Sequence, residues 1–185
     1  MYRSALPACF FLLLFLFPAC EAERVESELA EQPFFSLTDY FAGEITRLAD
    51  HATPVRKSVM LNGETEEKTL PNLDFSRELT IFQQADINKP AWYEKYRVDS
   101  MTTADGRLSG LRYTALDTTL VTRELAVEMN GRGEPAEIQV VKRSGNVLSR
   151  GFQRLTYRPD AGYTIEATRT SSLTKDMDSR IEVSF

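Results

Sequence analysis

The sequence predicts an α+β fold: a strongly curved antiparallel β-sheet, a meander resembling a half-barrel, packed with two helices from the amino-terminal half. Three observations carry this. Two early segments repeat apolar residues every three and four positions, the period of an amphipathic helix. From Trp92 onward β-branched and aromatic residues dominate and alternate with polar ones. Short turn signals separate these runs, and short turns pair neighbouring strands antiparallel, because parallel pairing needs long crossovers.

The first helix is expected over Phe34 to Ala52, where Leu37, Tyr40, Phe41, Ile45 and Leu48 share a face. Ser36 is the expected cap, with Asp39 at the positive end of the helix dipole and Phe34 and Phe35 stapling the entry. Val55–Leu61 and Glu64–Leu70 read as a hairpin around Asn62-Gly63, two residues that tolerate positive φ. Its second strand is very polar, which suits a sheet edge defended by charge. A second helix is expected over Asp74–Ala85, capped by Asp74, with Phe75, Leu79 and Phe82 on one face. Pro90 ends any continuation.

Seven strands are expected between Tyr93 and Phe185, punctuated by Asp105-Gly106, Asn130-Gly131, Ser144-Gly145-Asn146 and Pro159 to Gly162. Leu125, Val127 and Met129 share a face, with Arg123 the exception near the strand start. Tyr163, Ile165 and Ala167 alternate likewise, as do Ile181, Val183 and Phe185. From Val147 to Tyr157 the alternation slips, and a bulge near Gly151 is the expected cause. One-sided alternation implies one packed face and one that is wet or lines a cavity. Phe41 and Phe82 are expected to be buried where the helices meet the sheet.

Residues 1–19 read as a secretory signal peptide. Arg3 supplies a positive start, Phe10 to Phe17 is an apolar core, and Ala19 is a small residue directly before Cys20. Cys20 is the expected lipidation site, with residues 20–33 as lipidated cysteine and acidic polar tether. Phe17 stands where lipoprotein signals usually carry leucine. A single domain is expected over residues 34–185.

Of two cysteines, Cys9 leaves with the leader, so the body has no thiol pair for a disulfide or a zinc site. The net charge of −5 and the absence of a basic stripe argue against nucleic acid as a partner. His51 is the only histidine, which removes a hydrolytic triad; after the first helix it reads as a C-terminal cap. No cofactor is expected.

Ser172-Leu173-Thr174-Lys175 matches the string of penicillin-recognising enzymes, but it lies between strands without that family's partner motifs. Asp86 and Asn88 begin like a calcium loop, yet Pro90 occupies a ligand position. They read instead as polar groups closing the second helix. Asp176 and Asp178 read as solvated carboxylates of a strand-connecting turn, and Glu64, Glu66 and Glu67 as a solvated edge. Gly131-Arg132-Gly133 is followed by Glu134-Pro135, a hairpin turn and not a phosphate loop. Trp92 and Tyr96, at the junction of helix and sheet, read as core anchors, and they are also the candidate ligand-lining residues.

The leader with Cys20, the Tyr40-Phe41 helix, the Leu61-Asn62-Gly63 hairpin and Asp86-Ile87-Asn88-Lys89-Pro90-Ala91-Trp92 together resemble a group of uncharacterised lipoproteins from Bacteroidota. The likeness covers about the first half of the mature chain. It implies a lipid-anchored protein of the bacterial envelope and brings no activity, ligand or catalytic residue; the outer membrane is the expected location. The function expected first is a non-enzymatic binding or scaffold module, with an envelope protein or lipid as partner. A carrier of lipid or lipoprotein stands second, because helices over an incomplete antiparallel barrel are similar to the outer-membrane lipoprotein-sorting proteins. A hydrolase using carboxylates alone stands third.

Overall fold

Two helices form where the apolar spacing is three and four residues. Helix α1 spans Leu37–Asp50 and buries Leu37, Phe41 and Leu48. The Asp39 N–H donates to Ser36 Oγ at 3.1 Å, so Ser36 is the cap that the sequence names. Strands β1 (Val55–Leu61) and β2 (Glu64–Leu70) follow. Helix α2 spans Phe75–Gln83, with the Arg77 N–H donating to the Asp74 carboxylate at 3.2 Å. It buries Phe75, Leu79 and Phe82.

Seven further strands run from the second helix to the carboxyl terminus: β3 (Tyr96–Thr102), β4 (Leu108–Ala115), β5 (Thr122–Met129), β6 (Pro135–Gly145), β7 (Ser149–Arg158), β8 (Gly162–Ser171) and β9 (Met177–Ser184). The computed structural model describes residues 33–50 and 54–185. The leader, Cys20, the tether up to residue 32 and His51 lie outside the described residues. Residues Gln32–Phe185 form one compact unit that contains the whole described core.

The fold is α+β, with one open nine-stranded antiparallel sheet in the order β2-β1-β9-β8-β7-β6-β5-β4-β3. From β3 to β9 each strand pairs with the next. The β1–β2 hairpin then closes onto β9, with Val59 opposite Ile181. Strands β2 and β3 are the two edges, so the sheet does not close on itself. At the hairpin tip Asn62 and Gly63 take φ of 50° and 91°, which is why this dipeptide is used there. Gly162 has φ of 126°, and a Cβ there would lie 1.8 Å from the Val183 carbonyl oxygen. Only glycine lets β8 start that close to β9.

The helices cover one face of the sheet. Phe41 and Phe82 are fully buried with ring centroids 4.8 Å apart, and Tyr157 packs edge-on to both. Leu125, Val127, Ile138, Val140 and Leu155 complete that face from the strands.

Three sequence expectations are corrected. The sheet half begins at Tyr96 and not at Tyr93, because Pro90 starts a 3₁₀ turn over Pro90–Lys95. No bulge occurs at Gly151: pairing of β7 with both neighbours is continuous, and Phe152 points to the outer face, flanked by the guanidiniums of Arg143 and Arg154. Register shifts occur elsewhere, between Met101 and Thr102 of β3, between Glu128 and Met129 of β5, and between Thr122 and Glu124 of β5 around Arg123. That bulge is why Arg123 breaks the alternation, and it turns Thr122 into the core. Finally, Asp86 and Asn88 close the start of α1 and not the end of α2. The Thr38 N–H donates to Asp86 at 2.7 Å, while the Asn88 amide bonds the backbone of Phe34 and Phe35.

Candidate functional site

Each helix sets a glutamate on a tyrosine of the sheet. Glu44 of α1 accepts from the Tyr157 hydroxyl of β7 and is held at 2.9 and 2.7 Å by the Arg47 guanidinium. Glu78 of α2 accepts from the Tyr163 hydroxyl of β8 and binds Lys57 Nζ at 2.7 Å through both oxygens. Tyr157 and Tyr163 are directly paired across β7 and β8. Burial, and then the hydrogen bond to a carboxylate, push both hydroxyls well above the usual tyrosine range. Each carboxylate thus meets a tyrosine hydroxyl and a cation, the arrangement of a helix-to-sheet anchor.

The helices cover only part of the face. Beyond them, toward the turns β6–β7 and β8–β9, the same face opens into a trough of about 520 Å³. Gly151 and Gln153 of β7, Ala167 and Arg169 of β8 and Met177 of β9 form its floor. The glycine and alanine are the reason there is space, since no side chain fills the centre. Gln153 pairs across the ladder with Lys142 of β6, so Lys142 stands on the same face at the edge of this trough. Lys142 is half-buried, and burial holds its ammonium below the usual lysine value. Among the described residues it makes no ion pair. A partly desolvated cation without a carboxylate favours an anionic group brought from outside.

Tyr96 does not line this trough. It is 5% exposed, and its hydroxyl donates to the Thr122 carbonyl at 2.7 Å, while the Thr122 hydroxyl bonds the Ala85 carbonyl. Burial raises the Tyr96 hydroxyl to about 12. Trp92 sits in the 3₁₀ turn, packed against the core edge with Lys89 Nζ 4.0 Å from its ring centre. The structure brings the two aromatics within 6.5 Å of each other. Tyr96 is packed in the core and Trp92 is partly buried against it.

Ser172 and Lys175 lie in the β8–β9 turn, as the sequence implies. Asp176 accepts from the Ser171 N–H, whereas Asp178 belongs to β9 and meets Asn62 of the first hairpin through two backbone-linked bonds. Glu64, Glu66 and Glu67 are exposed on edge strand β2. Among the described residues, no three His, Cys, Asp or Glu side chains form a metal-holding group.

Sequence reasoning missed Lys142, Gln153 and Arg169. Lys142 is the detectable signal, a charged residue at the inward parity of Ile138 and Val140. No protein family, no curated protein and no solved structure matches the chain.

Proposed function

We propose that this chain is a lipid-anchored protein of a bacterial envelope, at the outer membrane, and acts as a non-enzymatic binding module whose working surface is the trough beside Lys142. Cys20 carries the acyl chains and residues 21–33 tether the body, in keeping with the resemblance to Bacteroidota lipoproteins. The observation that carries the reading is the half-covered face: helices fill one part of it, a roomy polar trough opens beyond them, and Lys142, which makes no ion pair among the described residues, stands next to the trough residue Gln153. The sheet that holds this trough is strongly curved, like half of a barrel. In support, Val55 near one edge and Tyr96 at the other belong to one core with both helices.

The carrier reading has one observation of its own: Val59, Ile165 and Ile181 form an apolar row on the same face and are not fully covered. Two measurements separate the readings. Cys20→Ala abolishes fatty-acid labelling, and equal labelling in parent and variant removes the anchor. For the body, native mass spectrometry of the detergent-extracted protein shows no stoichiometric acyl ligand if it is a binding module. A photocrosslinker at Gln153 then traps one discrete envelope partner, and Lys142→Glu abolishes that crosslink. A bound lipid in one-to-one ratio promotes the carrier instead.

A further inference from the structure

The two rims of the sheet differ in chemistry. At one rim stand the β1–β2, β4–β5, β6–β7 and β8–β9 turns; at the other stand β3–β4, β5–β6 and β7–β8. Turn tips are ordinarily polar, because nothing covers them. The second rim follows this at its tips, with Asp105, Arg107, Asn130, Arg132 and Asp160, and Leu108 (42% exposed) is the large apolar side chain beside one of them. The first rim does not. Val147 at the β6–β7 tip is fully exposed, and Leu173, Leu116 and Leu148 are 74%, 61% and 51% exposed. Leu61, beside the β1–β2 tip, is 48% exposed.

These tips are held in place. Asn146 Oδ1 accepts from the Leu148 and Ser149 N–H groups at 2.9 and 3.0 Å, so Val147 projects from a closed turn. The Ser172 N–H donates to the Leu148 carbonyl at 3.0 Å, which joins the β6–β7 and β8–β9 turns. Asn62 and Asp178 join the β1–β2 tip to β9.

Cations accompany the apolar tips. Arg143, Arg150, Arg169 and Lys175 flank the β6–β7 and β8–β9 turns, and among the described residues none has a carboxylate partner. Arg169 bonds only a serine hydroxyl, and Arg143 lies against Phe152. Elsewhere on the chain, surface cations are mostly paired, as in Arg56–Glu67, Arg97–Asp99 and Arg132–Glu134. Against the four cations of the β6–β7 and β8–β9 turns stand the carboxylates of Asp176 and Asp178, so on a protein of net charge −5 this corner is net basic.

From this rim we infer a membrane-contact edge: its aliphatic tips enter the interfacial layer of an anionic bilayer, and Arg143, Arg150, Arg169 and Lys175 meet the lipid phosphates. The tips are separate and aliphatic, spread along an edge. A protein hot spot uses aromatic anchors in one packed pocket. A fluid interface accepts scattered aliphatic tips and rewards each with its own burial. The unpaired cations complement anionic headgroups, each worth about fivefold in binding at such a surface. The contact sets the orientation of the trough, with which it shares Arg169, relative to the membrane, and it does not need Cys20.

The test uses residues 32–185, the compact unit that contains its own core, so the anchor plays no part. Sedimentation with phosphatidylethanolamine–phosphatidylglycerol vesicles shows binding that falls as salt rises, and phosphatidylcholine vesicles bind far less. Val147→Asp with Leu173→Asp lowers vesicle binding at least tenfold with an unchanged melting profile, since both side chains are exposed. Arg150→Gln with Arg169→Gln gives a loss of about 25-fold on the anionic vesicles alone. Leu108→Asp, on the opposite rim, binds as the parent does. The inference is overturned if the parent stays in the supernatant with both vesicle types, or if the Val147 and Leu173 variant binds like the parent. A soluble dimer that the same variant dissociates also overturns it, because the rim then meets protein.

Discussion

Asp86 completes a helix it does not belong to. It lies 48 residues from Thr38, yet its carboxylate accepts the Thr38 N–H at 2.7 Å, one of the donors that every helix start leaves open. Ser36 satisfies the Asp39 N–H, so two side chains share the first turn of α1. Asp86→Ala is expected to cost about 1–2 kcal/mol, the range of a lost N-cap, and Asp86→Asn markedly less because its oxygen still accepts. Urea midpoints with unchanged slopes measure this, and equal losses for both substitutions would show that charge and not the cap matters. The dipeptide Ser36-Leu37 announces a helix start in the sequence. Nothing local announces Asp86, because its partner is brought by the fold.

Helices were the most legible elements, since their apolar faces and caps are written within a dozen residues. Phe41 and Phe82 illustrate it: spacing places both on inward faces, and both are fully buried against Tyr157. Truncating either to alanine is expected to cost about 3–5 kcal/mol, the loss for a buried phenylalanine with partial collapse of the cavity. Chemical denaturation checks it, and losses below about 1 kcal/mol in both would mean that the helices do not seal the face. Strands were legible as existing but not in detail. A bulge is invisible where alternation breaks for another reason. Phe152 mimicked a slipped register by facing outward, flanked by Arg143 and Arg154, whereas the real bulge at Arg123 left only one odd residue.

For the whole molecule, the buried tyrosines set a pH limit. Tyr40, Tyr96, Tyr113, Tyr157 and Tyr163 all have hydroxyls raised above the ordinary value of 10.0, chiefly by burial. The folded state therefore keeps protons that the unfolded chain releases at about that pH. Their contribution to stability is complete below pH ~10 and declines as pH rises through the higher folded values. Melting temperature is expected to fall steeply above pH ~10. Tyrosinate absorbance should rise together with loss of near-ultraviolet circular dichroism. Ordinary tyrosine titration with the dichroism intact would place these hydroxyls in water.

By itself the sequence determined what short-range physics can write: two amphipathic helices with caps Ser36 and Asp74, the Asn62-Gly63 hairpin, and a run of antiparallel strands joined by tight turns. Those features depend on neighbours a few residues apart. Tertiary structure alone decided that the first hairpin docks on the last strand, that Glu44 and Glu78 meet Tyr157 and Tyr163, and that Lys142 borders an uncovered trough. It also gathered the apolar tips of three turns, with Leu61 beside a fourth, on one rim. Each of these joins residues far apart in the chain, and strand order and helix placement, which set such meetings, leave no periodic trace in the residues that meet.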